Sequence, residues 1–196
     1  MSFPHLKNTC QQVSFSFLIS WILFFSLQSY VFAEQQVKVG VYENPPKIFT
    51  DVNGTVTGFW PELIEHIAEQ ENWKIAYVQG TWSEGLNRLK SNEIDIMPDV
   101  AYTEQRNALY TFSELPVLLS WARLYVHKKN DAIHSIQDLN GKRIAALRGS
   151  ANLEEAGGLK EIISKFNLRC TIVELDSYRE VFTKVSRFFI ACNSRR

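Results

Sequence analysis

A carboxylate, a hydroxyl and a guanidinium stand within a few residues of one another in IDIMPDVAYTEQR at 94–106. Asp99 follows Pro98, and Thr103 and Arg106 form a Thr-x-x-Arg pair. The residues before the proline alternate and then turn apolar, which reads as a short buried strand over 94–97, broken at Pro98 and followed by a loop. Thr103 is a good N-cap with Glu104 and Gln105 in the first turn, so a helix starts directly above the carboxyl end of a strand. In an open α/β sheet ligands bind at such points. The loop offers free backbone groups, the helix start offers unpaired N–H donors, and Arg106 offers a planar fork matched to a carboxylate. Together they describe an anion-binding corner. An isolated Thr-x-x-Arg is more often a simple cap beside a solvated arginine, so the context decides.

The elements that must position this corner alternate strand and helix, which argues a mainly parallel sheet with helices on its faces. A strand over 37–42 leads into the turn ENPPK, and DVNGTVTG at 51–58 forms a small hairpin around Asn53-Gly54. A helix starts at Phe59 or Trp60 with Pro61 near its first position, and Leu63, Ile64, Ile67 and Ala68 make its buried face. A strand over 73–78 and a helix over 83–90 then lead to the corner. Beyond it come a long strand over 117–127, a helical turn over 135–139 and a strand over 143–147. A helix over 151–166, weakened at Gly157-Gly158, a strand over 170–175 and a helix over 177–185 complete the series.

The N-terminus is expected to be a targeting segment. Lys7 precedes the apolar run VSFSFLISWILFFSL, and Ala33 precedes Glu34 where a signal peptidase would cut, so 1–33 reads as a secretory signal peptide. An uncleaved anchor is the alternative, since the apolar run extended to Ala33 reaches the roughly 20 residues needed to span a bilayer. Either way the remainder is exported. Basic and acidic residues number 21 each, for a formal net charge of zero without long single-sign runs, which gives no support to a nucleic-acid partner. Of three cysteines, Cys10 lies in the leader. Cys170 and Cys192 could pair in an oxidising compartment, but the preferred reading is a strand cysteine and a tail cysteine that never meet. No His/Cys cluster has metal spacing, and neither a metal nor a cofactor is expected.

Several pieces in order resemble the family 3 bacterial solute-binding proteins of the amino-acid-binding type. These pieces are VGVYENPPKIF at 39–49, GFWPELIEHIAE at 58–69, NEIDIMPDVAYTEQR at 92–106, FS at 112–113 and DLNGKRIAALRGSAN at 138–152. The resemblance covers about 37–185 and implies an α/β, two-lobed, Venus-flytrap fold: lobe one over 37–126 and a partial lobe two over 127–186. The atypical tail at 187–196 lacks the family's Gly-x-x-Asp strand. The chain is therefore expected to be truncated, with a second lobe short of sheet partners.

The resemblance also maps onto a ligand cleft. Arg106 matches the arginine that grips an α-carboxylate, a task for which a bidentate fork is suited. Thr103 serves as helix cap more than as ligand contact. Ala101 stands where many amino-acid binders have a serine, and Asp99 either meets a ligand ammonium or caps a turn. Across the cleft, Gly149, Ser150 and Ala151 match a Gly-[Ser/Thr]-[Ser/Thr] segment at a helix start that would hold the carboxylate's other side. Of the aromatics near the mouth, Tyr42, Phe49, Trp60 and Trp82, only Tyr42 enters the expected site.

The implied function is periplasmic binding of a small carboxylate-bearing solute, by lobes that close on a hinge, with a membrane permease or a receptor module as partner. The motif wording is nearest to sensor-fused members. The alternatives are a cyclic-acid dehydratase on the same fold, with Asp99 or Glu43 as acid or base, and a non-functional fragment of a sensor histidine kinase or diguanylate cyclase.

Overall fold

Valines at alternate positions start the described structure, which is a computed structural model covering residues 34–185 and 190–195. Val37, Val39 and Val41 of β1 (Gln35–Val41) are buried. β1 pairs in parallel with β4 (Trp73–Gln79), Val39 standing opposite Tyr77. Between them in sequence, β2 (Phe49–Thr50) and β3 (Val56–Thr57) form the expected hairpin. The Asp51 carboxylate accepts from the Asn53 and Thr55 N–H groups, and Gly54 takes the left-handed turn conformation at φ +83°.

Helix α1 (Phe59–Glu71) lies between the hairpin and β4 and buries Pro61, Ile64 and Ala68. Its contact face is rotated from the expected one: Leu63 is half-buried and Ile67 is exposed, because the helix packs with Pro61 in its first turn. It ends at Asn72, whose left-handed backbone at φ 53° returns an N–H to the Ala68 carbonyl. Helix α2 (Trp82–Lys90) opens with a capping box: Thr81 accepts from the Glu84 N–H, and the Glu84 carboxylate receives the Thr81 N–H at 2.7 Å.

The strand expected over 94–97 shrinks to a single parallel bridge between Val39 and Ile96. A side chain explains this, since the Asp95 carboxylate takes the Lys38 N–H at 2.7 Å. A ladder cannot continue past a donor already used, and Pro98 adds none of its own. Ile94 and Met97 nevertheless point into the core with Val41, Tyr42 and Trp82.

The second sheet has the order β5-β8-β6-β7, built from β5 (Trp121–Tyr125), β6 (Arg143–Leu147), β7 (Thr171–Leu175) and β8 (Ile190–Arg195). β7 and β8 flank β6 in parallel, and β5 runs antiparallel to β8. The expectation that the second lobe lacks sheet partners is thereby corrected. Ile190 and Ala191 are buried, so the apolar start of the tail provides a strand that fits between two others. The strand expected over 117–127 is shorter, with Val117 and Leu119 exposed ahead of it.

The helix expected over 151–166 divides into α4 (Ala151–Glu154) and α5 (Leu159–Lys165). Gly157, at φ +76°, turns the chain between them. A Cβ on Gly158 would lie 2.7 Å from the Glu155 carbonyl oxygen, so the backbone itself requires glycine there. α6 (Tyr178–Val185) packs Val181 and Val185 on Ala145 and Ala191. Cys170 is a free thiol and donates to the Leu139 carbonyl. The expected signal peptide at 1–33 lies outside the described residues, among which no helix is long and apolar enough to cross a membrane.

Candidate functional site

Pro98 follows the Val39–Ile96 bridge, and the next residue turns sharply. Asp99 has φ +64°, a left-handed conformation that a short polar side chain tolerates better than most. The turn aims its carboxylate back at the segment after β1. Tyr42 donates its hydroxyl to Asp99 Oδ2 at 2.8 Å, Asn44 donates Nδ2 to the same oxygen at 3.2 Å, and Lys47 Nζ lies 2.7 Å from Oδ1. Lys47 and Asp99 are largely shielded, at 16% and 13% side-chain exposure, so this ion pair is screened less than a surface one. Tyr42 is buried edge-on against Trp82, and burial, followed by the Asp99 charge, holds its hydroxyl well above the usual tyrosine range.

Five residues along, helix α3 (Glu104–Asn107) begins. Thr103 caps it by accepting the Arg106 N–H at 3.1 Å. Arg106 is buried at 4% exposure, and every nitrogen of its fork has an acceptor. Nη1 donates to the Ala101 carbonyl at 3.3 Å, Nη2 to the Gly149 carbonyl at 2.9 Å, and Nε faces Glu155 Oε1 at 3.2 Å. Thr103 Oγ1 donates to the other Glu155 oxygen, Oε2, at 3.3 Å. The guanidinium lies 5.9 Å from the Trp82 ring centroid. Burial pulls the Arg106 pKa down and the Glu155 charge opposes it, while the guanidinium stays charged throughout.

Gly149 belongs to the turn between β6 and α4, where φ +68° suits glycine. That turn meets α2 directly. Trp82 Nε1 donates to the Gly149 carbonyl and Ser83 Oγ to the Arg148 carbonyl, both at 3.1 Å. Ser150 is buried at the N-cap position of α4, yet its side chain makes no capping hydrogen bond.

These features fit a described class of proteins. The bacterial extracellular solute-binding proteins, family 3, match residues 37–187. The chain belongs to that family. The "Probable amino-acid-binding protein YxeM" of Bacillus subtilis (strain 168) is 33% identical over 114 residues, which are 56% of this chain and 43% of the relative. The "Putative amino-acid ABC transporter-binding protein PatH" of Vibrio harveyi is 31% identical over 124 residues, 63% of this chain and 49% of the relative. The chain thus spans about half the length of the curated relatives it matches. Among solved structures, "An ancestral arginine-binding protein bound to arginine" superposes with a TM-score of 0.71 at 26% identity, over 81% of this chain and 70% of that one. The expected mixed α/β architecture of the two-lobed binding proteins is the fold of this chain.

The structure gathers the sequence-predicted residues into two groups. Arg106, Thr103, the Ala101 carbonyl and Gly149 meet around one point, while Asp99 and Tyr42 meet around another. Ser150 and Ala151 adjoin Gly149 in sequence and hold no contact with Arg106 among the described hydrogen bonds. Tyr42 and Trp82 are core members, and Trp82 is the one whose indole reaches the Gly149 carbonyl. Sequence reasoning missed Asn44, Lys47 and Glu155. Lys47 sits in the ENPPK turn, where a lysine looks solvated. Glu155 stands just before the Gly-Gly break, which was the signal that the helix stops and the side chain is free to turn.

Of the two residues considered for acid–base chemistry, Asp99 is occupied by Lys47, and Glu43 Oε1 accepts the Thr50 N–H. The relatives are named as binding proteins.

Proposed function

We propose that the chain binds a small solute carrying a carboxylate, of the amino-acid type, outside the cytoplasm. The observation that carries this reading is the buried Arg106 fork between the capped turn at Thr103 and the Gly149 turn, with a carboxylate in contact with both Arg106 and Thr103. A fork already shaped to a carboxylate and shielded from water is the arrangement that recognises one on a ligand. Asp99, Ala101, Tyr42, Ser150 and Ala151 line the rest of the proposed cleft. The lobes are proposed as 37–126 and 127–186 with the tail 187–196, a division that β5 and β8 bridge by pairing in one sheet. Family membership supports an exported location, with the periplasm as the compartment. PatH is named for an ABC transporter, and a membrane permease is accordingly the proposed partner.

The test is calorimetric titration of the chain and of Arg106→Ala with a panel of L-amino acids. The substitution is expected to cost roughly 2–5 kcal/mol of affinity, because a buried ligand charge loses its counter-charge. Equal affinities in the two proteins would remove Arg106 from the site.

A further inference from the structure

Glu155 sits on Arg106 and Thr103 in the way a ligand carboxylate would. One of its oxygens faces Arg106 Nε at 3.2 Å and the other accepts from Thr103 Oγ1 at 3.3 Å, so the whole group is engaged by one turn of α3. It is 15% exposed, against 5% for the arginine side chain. It comes from the loop after α4, on the far side of the proposed cleft from α3, and that loop is built to deliver it. α4 stops at Glu154, Gly157 turns at φ +76°, and the Gly157 N–H is held by Glu161 at 2.7 Å. The neighbouring Glu154 faces away and pairs with Lys160 at 2.7 Å. Of two adjacent glutamates the fold spends one on its own surface and sends the other to the arginine.

We propose that Glu155 is a built-in counter-ligand: its carboxylate closes the cleft in the absence of solute and must leave Arg106 and Thr103 before a solute carboxylate takes their place. Binding is then an exchange of one carboxylate for another. The solute's apparent affinity is lowered by the fraction of molecules in which Glu155 holds the seat, as for any ligand that must wait for a competent state. This rests on the reading of Arg106 as a carboxylate seat, and two separate measurements keep the two ideas apart.

The first uses the chain without solute and follows hydrogen–deuterium exchange in the segments 101–108 and 149–156. Glu155→Gln is expected to raise exchange in both by about tenfold, since the loss of the charge favours the open cleft, whereas Glu154→Gln leaves both unchanged. Unchanged exchange in Glu155→Gln, or an equal rise in Glu154→Gln, would overturn the latch. If Glu155→Gln does not fold, Glu155→Asp gives the same reading, because the shorter arm cannot span both donors. The second titrates L-arginine and L-histidine into both proteins. About tenfold tighter binding by Glu155→Gln is expected, as the internal competitor is removed; equal or weaker binding overturns the exchange. If neither probe binds either protein, the amino-acid reading fails, and the exchange measurement alone decides the latch.

Discussion

Two carboxylates in this molecule are held by cations shielded from solvent, and they are held differently. Asp99 takes Lys47, Tyr42 and Asn44, all from the segment that follows β1, so its neutralisation is complete on one side of the proposed cleft. Glu155 takes Arg106 and Thr103 from across the proposed cleft. On the proposed two-lobed reading, the first set is independent of whether the two sides meet, and the second forms only when they do. A charge pair inside one rigid segment fixes local shape, whereas a pair between segments converts closure into an electrostatic quantity that a solute can alter. On the proposed reading, that difference also bears on selectivity. With Lys47 already on Asp99, a solute ammonium that sought Asp99 would have to share it with a resident cation.

The largest effect is expected at Gly58, which has φ +117° and whose Cβ would come within 2.7 Å of both the Pro46 and Lys47 carbonyl oxygens. Gly58→Ala is expected to destabilise the chain by about 3 kcal/mol or more and to displace Lys47, because neither clash involves a flexible group. Urea unfolding would read the loss. Next, Lys47→Met leaves Asp99 with two neutral donors. A cost of about 1–3 kcal/mol is expected in the same assay, together with wild-type exchange in 149–156, since this pair does not cross the cleft. A large rise in exchange there would erase the distinction between the two seats. The smallest effect is expected from Thr81→Ala, which removes one side of the α2 capping box at a cost of about 1 kcal/mol. It should nonetheless loosen the Gly149 turn, because Trp82 and Ser83 of that first turn hold the Gly149 and Arg148 carbonyls.

Much of this is written in local sequence. The Asn53-Gly54 hairpin, the Thr103 cap and the Arg143–Leu147 strand all follow from signals within a few residues, and each is where those signals put it. The failures have a common cause in long-range contacts. Asp95 consumes the Lys38 N–H fifty-seven positions away, and nothing near Asp95 announces that the strand will be cut short. Likewise Arg106 is legible as a carboxylate fork, but the carboxylate that meets it arrives from residue 155. The Gly157-Gly158 pair marks the place where the helix breaks without saying where the released side chain goes. Lys47 shows the same limit, since a lysine in a proline-rich turn reads as solvated until Asp99 is folded against it.

The order of the second sheet has a bearing on how the chain comes together in time. Its central pair contains β8, the last of its four strands in sequence, which lies between β5 and β6. β5 therefore has no hydrogen-bonded neighbour until some seventy residues later in the chain have been made, Trp121 pairing with Arg195. Pairings so distant in sequence are slow to form because loop closure precedes any gain in contact. As the chain emerges during synthesis, the β1–β4 half is free to fold early. The second sheet must wait with its middle open, and in that interval β5 and β6 present bare edges to other chains.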